Sequence, residues 1–168
     1  MSEHITVGFV NGGARQYAND QSGNWIRELG PYGLDLAIRA SHPTIAACYV
    51  LVCVAQSGLF DQARKSSLRD LARRINGGYC GDFAANAFSL LTDSLQEEAV
   101  LIQANHLPRN KDGGDTGHVW LRSGGKHFDA ECPQGVDQPS DLEFFKRALE
   151  RYGHDHQGEL LRKLAPFA

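Results

Sequence analysis

Apolar and polar positions alternate with two different periods along the chain. Ile5 to Val10 reads as a short strand, followed by a Gly-, Asn- and Gln-rich loop to about Gly23. Asn24 to Leu29 and Leu34 to Ala40 read as short helices broken by Gly30-Pro31. Pro43 suits the first position of an apolar helix running to about Gln56. Asp61 to Ile75 continues at helical spacing through Ala63, Leu68, Leu71, Ala72 and Ile75. After Asn76-Gly77-Gly78 a second amphipathic helix opens near Cys80, with Ala84, Ala87, Phe88, Leu91 and Leu95 on one face. Val100 to Ala104 reads as a strand. A polar loop, Pro108 to Gly117, then leads to two alternating segments, His118 to Arg122 and Lys126 to Glu131, whose Ser123-Gly124-Gly125 break predicts a hairpin. Ser140 can cap a helix over Asp141 to Tyr152, with Glu143 completing a capping box, and a last helix is expected from Glu159 to Leu164. This order predicts one α+β domain over residues 1–168: a helical N-terminal half over 1–75, a core over 76–135 that holds the candidate chemistry, and C-terminal helices in 136–168.

Composition narrows the class without naming a function. The chain has 168 residues with 42% hydrophobic and 22% charged, enough apolar material for a core and too much for disorder. Seventeen basic residues against twenty acidic leave a formal charge of −3, so no general attraction to nucleic acid or an anionic membrane is expected. The most apolar stretch, Thr44 to Ala55, is shorter than the ~20 residues a spanning helix needs. No signal-like segment is read in Met1 to Gly13, and the four cysteines, Cys48, Cys53, Cys80 and Cys132, form no disulfide framework. A cytoplasmic location with reduced thiols is the expectation.

Cys80 is the first residue with a chemical reading. A Gly pair and Tyr79 precede it and an apolar-periodic helix follows, which places it in that helix's first turn. Unpaired backbone N–H groups and the positive helix end there favour a thiolate and supply a donor for an oxyanion. A small buried side chain is the alternative for Cys80, and the ordinary reading for Cys48 and Cys53, which do not share a helix face.

His118 gives that thiol a base. His118, Trp120 and Arg122 share one strand face, and His127, Asp129 and Glu131 share a face of the next strand. A Gly124-Gly125 turn sets His118 opposite Glu131 with Asp129 diagonal, whereas a Ser123-Gly124 turn sets His118 directly opposite Asp129. Either register offers a carboxylate to hold one ring nitrogen and leaves the other for the thiol.

These stretches resemble a known family. Gly78-Tyr79-Cys80-Gly81-Asp82-Phe83-Ala84 is similar to the Gly-x-Cys-x-Asp-Phe-Ala stretch that starts the catalytic helix of transglutaminase-like domains. Gly117-His118-Val119-Trp120-Leu121 and Gly125-Lys126-His127-Phe128-Asp129-Ala130 resemble that family's histidine and aspartate strands in order and spacing, over roughly Asn76 to Gly135. The resemblance implies a papain-like fold, a Cys80–His118–Asp129 triad and an acyl thioester on Cys80. The expected activity is a cysteine-dependent hydrolysis of peptide or isopeptide bonds, or acyl transfer to an amine, on a peptide or protein substrate and without a cofactor or metal. Arg74 to Cys80 also looks like the cysteine segment of arylamine N-acetyltransferases, and a binding module with a decayed site is the non-enzymatic alternative.

Other residues carry open alternatives. Glu131 competes with Asp129 as the orienting acid. Asn76 is either an oxyanion donor or a turn residue, and Trp120 either walls a substrate groove or packs in the core. Asp82 suits a helix N-terminus without catalysis. Lys65, Arg69 and Arg73 form a basic stripe, a solvated face or a dock for an acidic substrate. His154-Asp155-His156 lacks metal-site spacing, and Lys111 to Asp115 lacks the final glutamate of a calcium loop, so both read as loops.

Overall fold

A computed structural model of the protein describes residues 4–8, 14–19, 25–57, 67–104, 117–152 and 164–166, with side chains over 30–57, 67–104 and 117–150. The N-terminal region departs from the helical expectation. Strands β1 (His4–Gly8), β2 (Ala14–Asn19) and β3 (Trp25–Leu29) form a three-stranded antiparallel sheet. Of the segment read as a helix over Asn24 to Leu29, Trp25–Leu29 is therefore a strand, and β2 lies where a loop was expected. Five or six residues are too few for periodicity to separate the two states, and pairing with a neighbouring strand decides. Leu34 to Ala40 is not helical either. A 3-10 turn at Pro31–Gly33 precedes it, with Tyr32 in the left-handed region at φ 59°.

The apolar helix is present as α1 (Pro43–Gln56). His42 caps it, its Nδ1 accepting the Thr44 N–H at 3.0 Å, and Pro43 takes the first turn. Ala46, Ala47, Val50, Cys53 and Val54 are buried while Ile45, Cys48 and Val52 face out, so the two cysteines do point apart. Helix α2 (Leu68–Asn76) starts at Ser67, whose Oγ accepts the Asp70 N–H. The beginning of the longer helix expected there, and Lys65 of the basic stripe, lie outside the described residues. Next come α3 (Cys80–Ser89) and a separate α4 (Asp93–Glu98), where one helix to Leu95 was expected.

The second sheet orders its strands β6-β5-β4-β7, all antiparallel: β4 (Val100–Ala104), β5 (His118–Ser123), β6 (Lys126–Phe128) and β7 (Leu164–Pro166). β7 replaces the end of the expected last helix, and residues 159–163 of that helix lie outside the described set. Helix α5 (Glu143–Tyr152) begins after a 3-10 turn at Pro139–Asp141, two residues later than the capping-box reading placed it. The C-terminal region therefore holds a strand as well as a helix.

Successive residues of β5 point into different cores. Leu121 joins Phe128 and Ala130 under α1, α2 and α3, while Trp120 joins Ile102, Leu142, Phe145 and Leu149 on the α5 side. The sheet is thus covered by helices on both faces, with α3 packed along β5. The class is α+β. Among the described residues, no helix is long and apolar enough to cross a membrane.

Candidate active site

Cys80 is the first residue of α3. The turn before it is tightly bonded: Gly77, Gly78 and Tyr79 donate their N–H groups back to Arg74 and Ile75 carbonyls at 3.0, 3.3 and 2.7 Å. No side chain caps α3. A missing cap costs a helix about 1 kcal/mol, and burial of Phe83, worth about 1.5–3 kcal/mol, offsets it. The uncapped end leaves first-turn N–H groups to meet the sulfur. Burial pushes the Cys80 thiol up, but contact with His118 and hydrogen bonds from the Val119 and Gly81 backbone outweigh it, and the thiol sits below its ordinary value of 9.0.

His118 opens β5 and is 1% exposed. Its Nε2 lies 2.9 Å from Asp129 Oδ2, and among the described residues its buried Nδ1 has no aligned hydrogen-bond partner. The Cys80 thiol interacts with this ring without an aligned bond to Nδ1. The ring is stacked against Phe144 at 4.2 Å and 11°, and against Trp120 at 5.7 Å and 22°. Burial alone would lower the imidazole's proton affinity, but Asp129 and the Cys80 sulfur raise it above 6.5. A depressed thiol beside an elevated imidazole favours the thiolate–imidazolium form, in which the two titrations belong to the pair.

The hairpin settles the register and the acid separately. Gly124 and Gly125, at φ 58° and 75°, form the two-residue turn, and Leu121 pairs with Phe128 and Arg122 with His127. Continued outward, that register would set Glu131 against His118. Pairing stops instead at Phe128. The Oδ1 of Asp129 accepts the N–H groups of Glu131 and Cys132 at 3.0 and 2.8 Å, which turns the chain out of the ladder and leaves Oδ2 on His118. Asp129 is the acid on the imidazole. Glu131 is not; its carboxylate takes a two-pronged bond from Arg147 at 2.6 and 2.5 Å and the Asn76 Nδ2 at 3.0 Å.

Two side readings fall with that. The Asn76 amide donates to Glu131, so an oxyanion role for it is not what the geometry offers. Trp120 is fully buried, with its Nε1 donating to His127 Nδ1 at 2.9 Å, and is core and not a groove wall. Sequence reasoning missed Phe144 and Arg147. Both lie on α5 three residues apart, on one face of an amphipathic helix, and no local signal ties either to a hairpin more than a dozen residues earlier.

The remaining thiols contrast with Cys80. Cys132 is pushed up to about 11 by burial and by the carboxylates around it, Asp129 foremost, and Cys53 is raised by burial. A cavity of about 400 Å³ opens elsewhere, between α1, α2 and the turn after β6, lined by Val52, Leu68, Ala72 and Pro133 and not by Cys80. Among the described residues, no three His, Cys, Asp or Glu side chains gather as a metal set. His154-Asp155-His156 and Lys111 to Asp115 lie outside the described residues. No protein-family model, curated protein or solved structure matches the chain.

Proposed function

We propose that the protein is a cysteine hydrolase of amide bonds, in a papain-like arrangement akin to transglutaminase-like domains, acting on a peptide or protein substrate. The observation that carries the reading is the buried His118–Asp129 pair beside a helix-tip thiol whose proton affinity is lowered. In such a site the Cys80 thiolate attacks the carbonyl carbon, and the oxygen's developing charge meets first-turn N–H groups of α3. As the tetrahedral species collapses, the C–N bond breaks and His118 delivers its proton to the leaving amine. The acyl group stays on sulfur as a thioester. Water, deprotonated by His118, then attacks the thioester, releases the acid and restores the thiol; an amine in place of water would make the reaction a transfer. Asp129 keeps a proton on Nε2, so that Nδ1 is the nitrogen that exchanges with sulfur.

Brief iodoacetamide treatment at pH 6 with mass-spectrometric mapping tests the reading. Cys80 is expected to label far ahead of Cys132 and Cys53, and ahead of exposed Cys48 despite its lower accessibility. Labelling of Cys48 with none at Cys80 would overturn it. A peptide aldehyde is expected to form a thiohemiacetal on Cys80 and no other cysteine.

A further inference from the structure

The acid that does not hold His118 sits where it can hold everything else in place. Glu131 lies two residues past Asp129, and its N–H donates to Asp129 Oδ1 at 3.0 Å. Its carboxylate accepts from the Asn76 Nδ2 at 3.0 Å. Asn76 is 3% exposed and ends α2, four residues before Cys80, and the backbone bonds from Gly77, Gly78 and Tyr79 leave the intervening turn little freedom. The thiol and the imidazole arrive on different elements, α3 and β5. Beside the direct packing of α3 on β5, a second path between them runs Cys80, the turn, Asn76, Glu131, Asp129, His118. Helix α5 closes the same path from outside: Arg147 grips Glu131, and Phe144, one turn earlier, stacks on His118. We infer that Glu131 is a positioning residue, a clamp that joins Asn76, Arg147 and the Asp129 turn and so sets the approach of Cys80 to His118.

This inference rests on the reading of Cys80 as an activated thiol. The charges that face Glu131 keep it a carboxylate at the pH of the labelling experiment: Arg147 from α5 and Arg73 from α2, with the Asn76 amide, hold it below its ordinary value against the cost of burial. Arg147 in turn feels Glu143 and Asp129. A carboxylate ionised at that pH exchanges no proton with the site, so its action there is geometric. The position of sulfur relative to the ring governs how strongly each stabilises the other's charge, because their interaction falls with separation.

The test is the pH profile of Cys80 alkylation by iodoacetamide in the full chain, measured for wild type, Asn76→Ala, Arg147→Lys and Glu131→Gln, alongside thermal melting. In wild type the acid limb is expected below the free-thiol range near pH ~8.5. In Asn76→Ala, which leaves the Glu131–Arg147 pair intact, the limb is expected to move up by about one pH unit, a roughly tenfold loss of rate at pH 6. Arg147→Lys keeps the charge but loses the fork and is expected to move it the same way by less. If Glu131→Gln fails to fold, these two variants still decide the matter. Lowered melting temperatures with an unmoved limb would make the network purely structural and overturn the inference alone. An ordinary thiol profile already in wild type would sink both the inference and the function it rests on.

Discussion

Cys80 meets Asp129 only through His118, whereas Cys132 meets it directly; both are half-buried, and burial pushes both thiols upward. Their outcomes are opposite. At the tip of α3 an imidazole and two backbone N–H groups answer the buried sulfur, and the thiol falls below 9.0. In the turn after β6 the neighbours are the carboxylates of Asp129, Glu143 and Glu131, and the thiol rises to about 11. Asp129 acts with opposite sign in the two places. Through His118 it favours the Cys80 thiolate, whereas directly it repels a thiolate at Cys132. Burial raises both thiols, and what stands between each thiol and the carboxylate decides whether that rise is overcome or added to.

Asp129→Asn should break this contrast most completely. The carbonyl of an asparagine can still accept from Glu131 and Cys132, so the turn survives, but its amide would donate to Nε2. That forces the ring proton onto Nδ1 and removes the acceptor for the thiol proton. The corresponding change in serine proteases costs ~10⁴; a loss of roughly 10³ or more in turnover is expected, with the Cys132 thiol moving the other way, down from about 11. Turnover on a cleaved peptide, paired with cysteine-specific titration, checks both signs.

His118→Ala should make the Cys80 surroundings resemble those of Cys132. Without the imidazole, burial acts on the thiol against two backbone donors only. The thiol should move up, and roughly 100-fold slower alkylation at pH 6 is the expected outcome in the mapping experiment. A rate unchanged by the substitution would show that the helix end alone activates the sulfur.

Phe144→Ala tests how far the stacked ring holds the imidazole plane. The 4.2 Å stack covers one face of His118 and favours its charged form through the ring's electron-rich face. About a tenfold fall in Cys80 alkylation at pH 6 is expected, with labelling of Cys132 unchanged. An equal change at both thiols would point to loosening of α5 as a whole.

The smallest effect is one of stability. Glu131 is depressed from 4.5, so it binds fewer protons folded than unfolded near that pH, and its contribution is present above 4.5 and lost as pH falls through its folded value. Its side chain is 6% exposed and that of Arg147 30%, which places Glu131→Gln at about 2 kcal/mol, between exposed and fully buried pairs. Melting temperatures should differ by several degrees at pH 7, and the gap should close as pH falls well below 4.5. A gap that persisted there would assign the loss to packing instead of charge.

Much of the site was legible in the chain because its signals are local. The Gly77-Gly78 break and the apolar period after it put Cys80 at a helix start. Alternation and the glycine pair put Asp129 across a hairpin from His118, although the strand expected to Glu131 ends at Phe128, and Pro43 marked the first turn of α1. Each of these depends on steric or hydrogen-bonding rules that act within a few residues. The two acids could not be told apart that way. Strict pairing from a Gly124-Gly125 turn points to Glu131, and that turn is the one present. Asp129 is chosen because its own Oδ1 ends the ladder one residue past Phe128, and Arg147 and Asn76, from two other elements, take up Glu131.

The N-terminal strands mark the other limit. β2, Ala-Arg-Gln-Tyr-Ala-Asn, carries no apolar alternation, and β3 is five residues long, so nothing in either segment by itself prefers a strand. The chain alone determined the class, the helix that presents the thiol and the face that presents the imidazole. Tertiary structure decided the first sheet, the aromatic stack on His118 and the acid on its ring, because each depends on partners distant in sequence whose contact no local energy encodes.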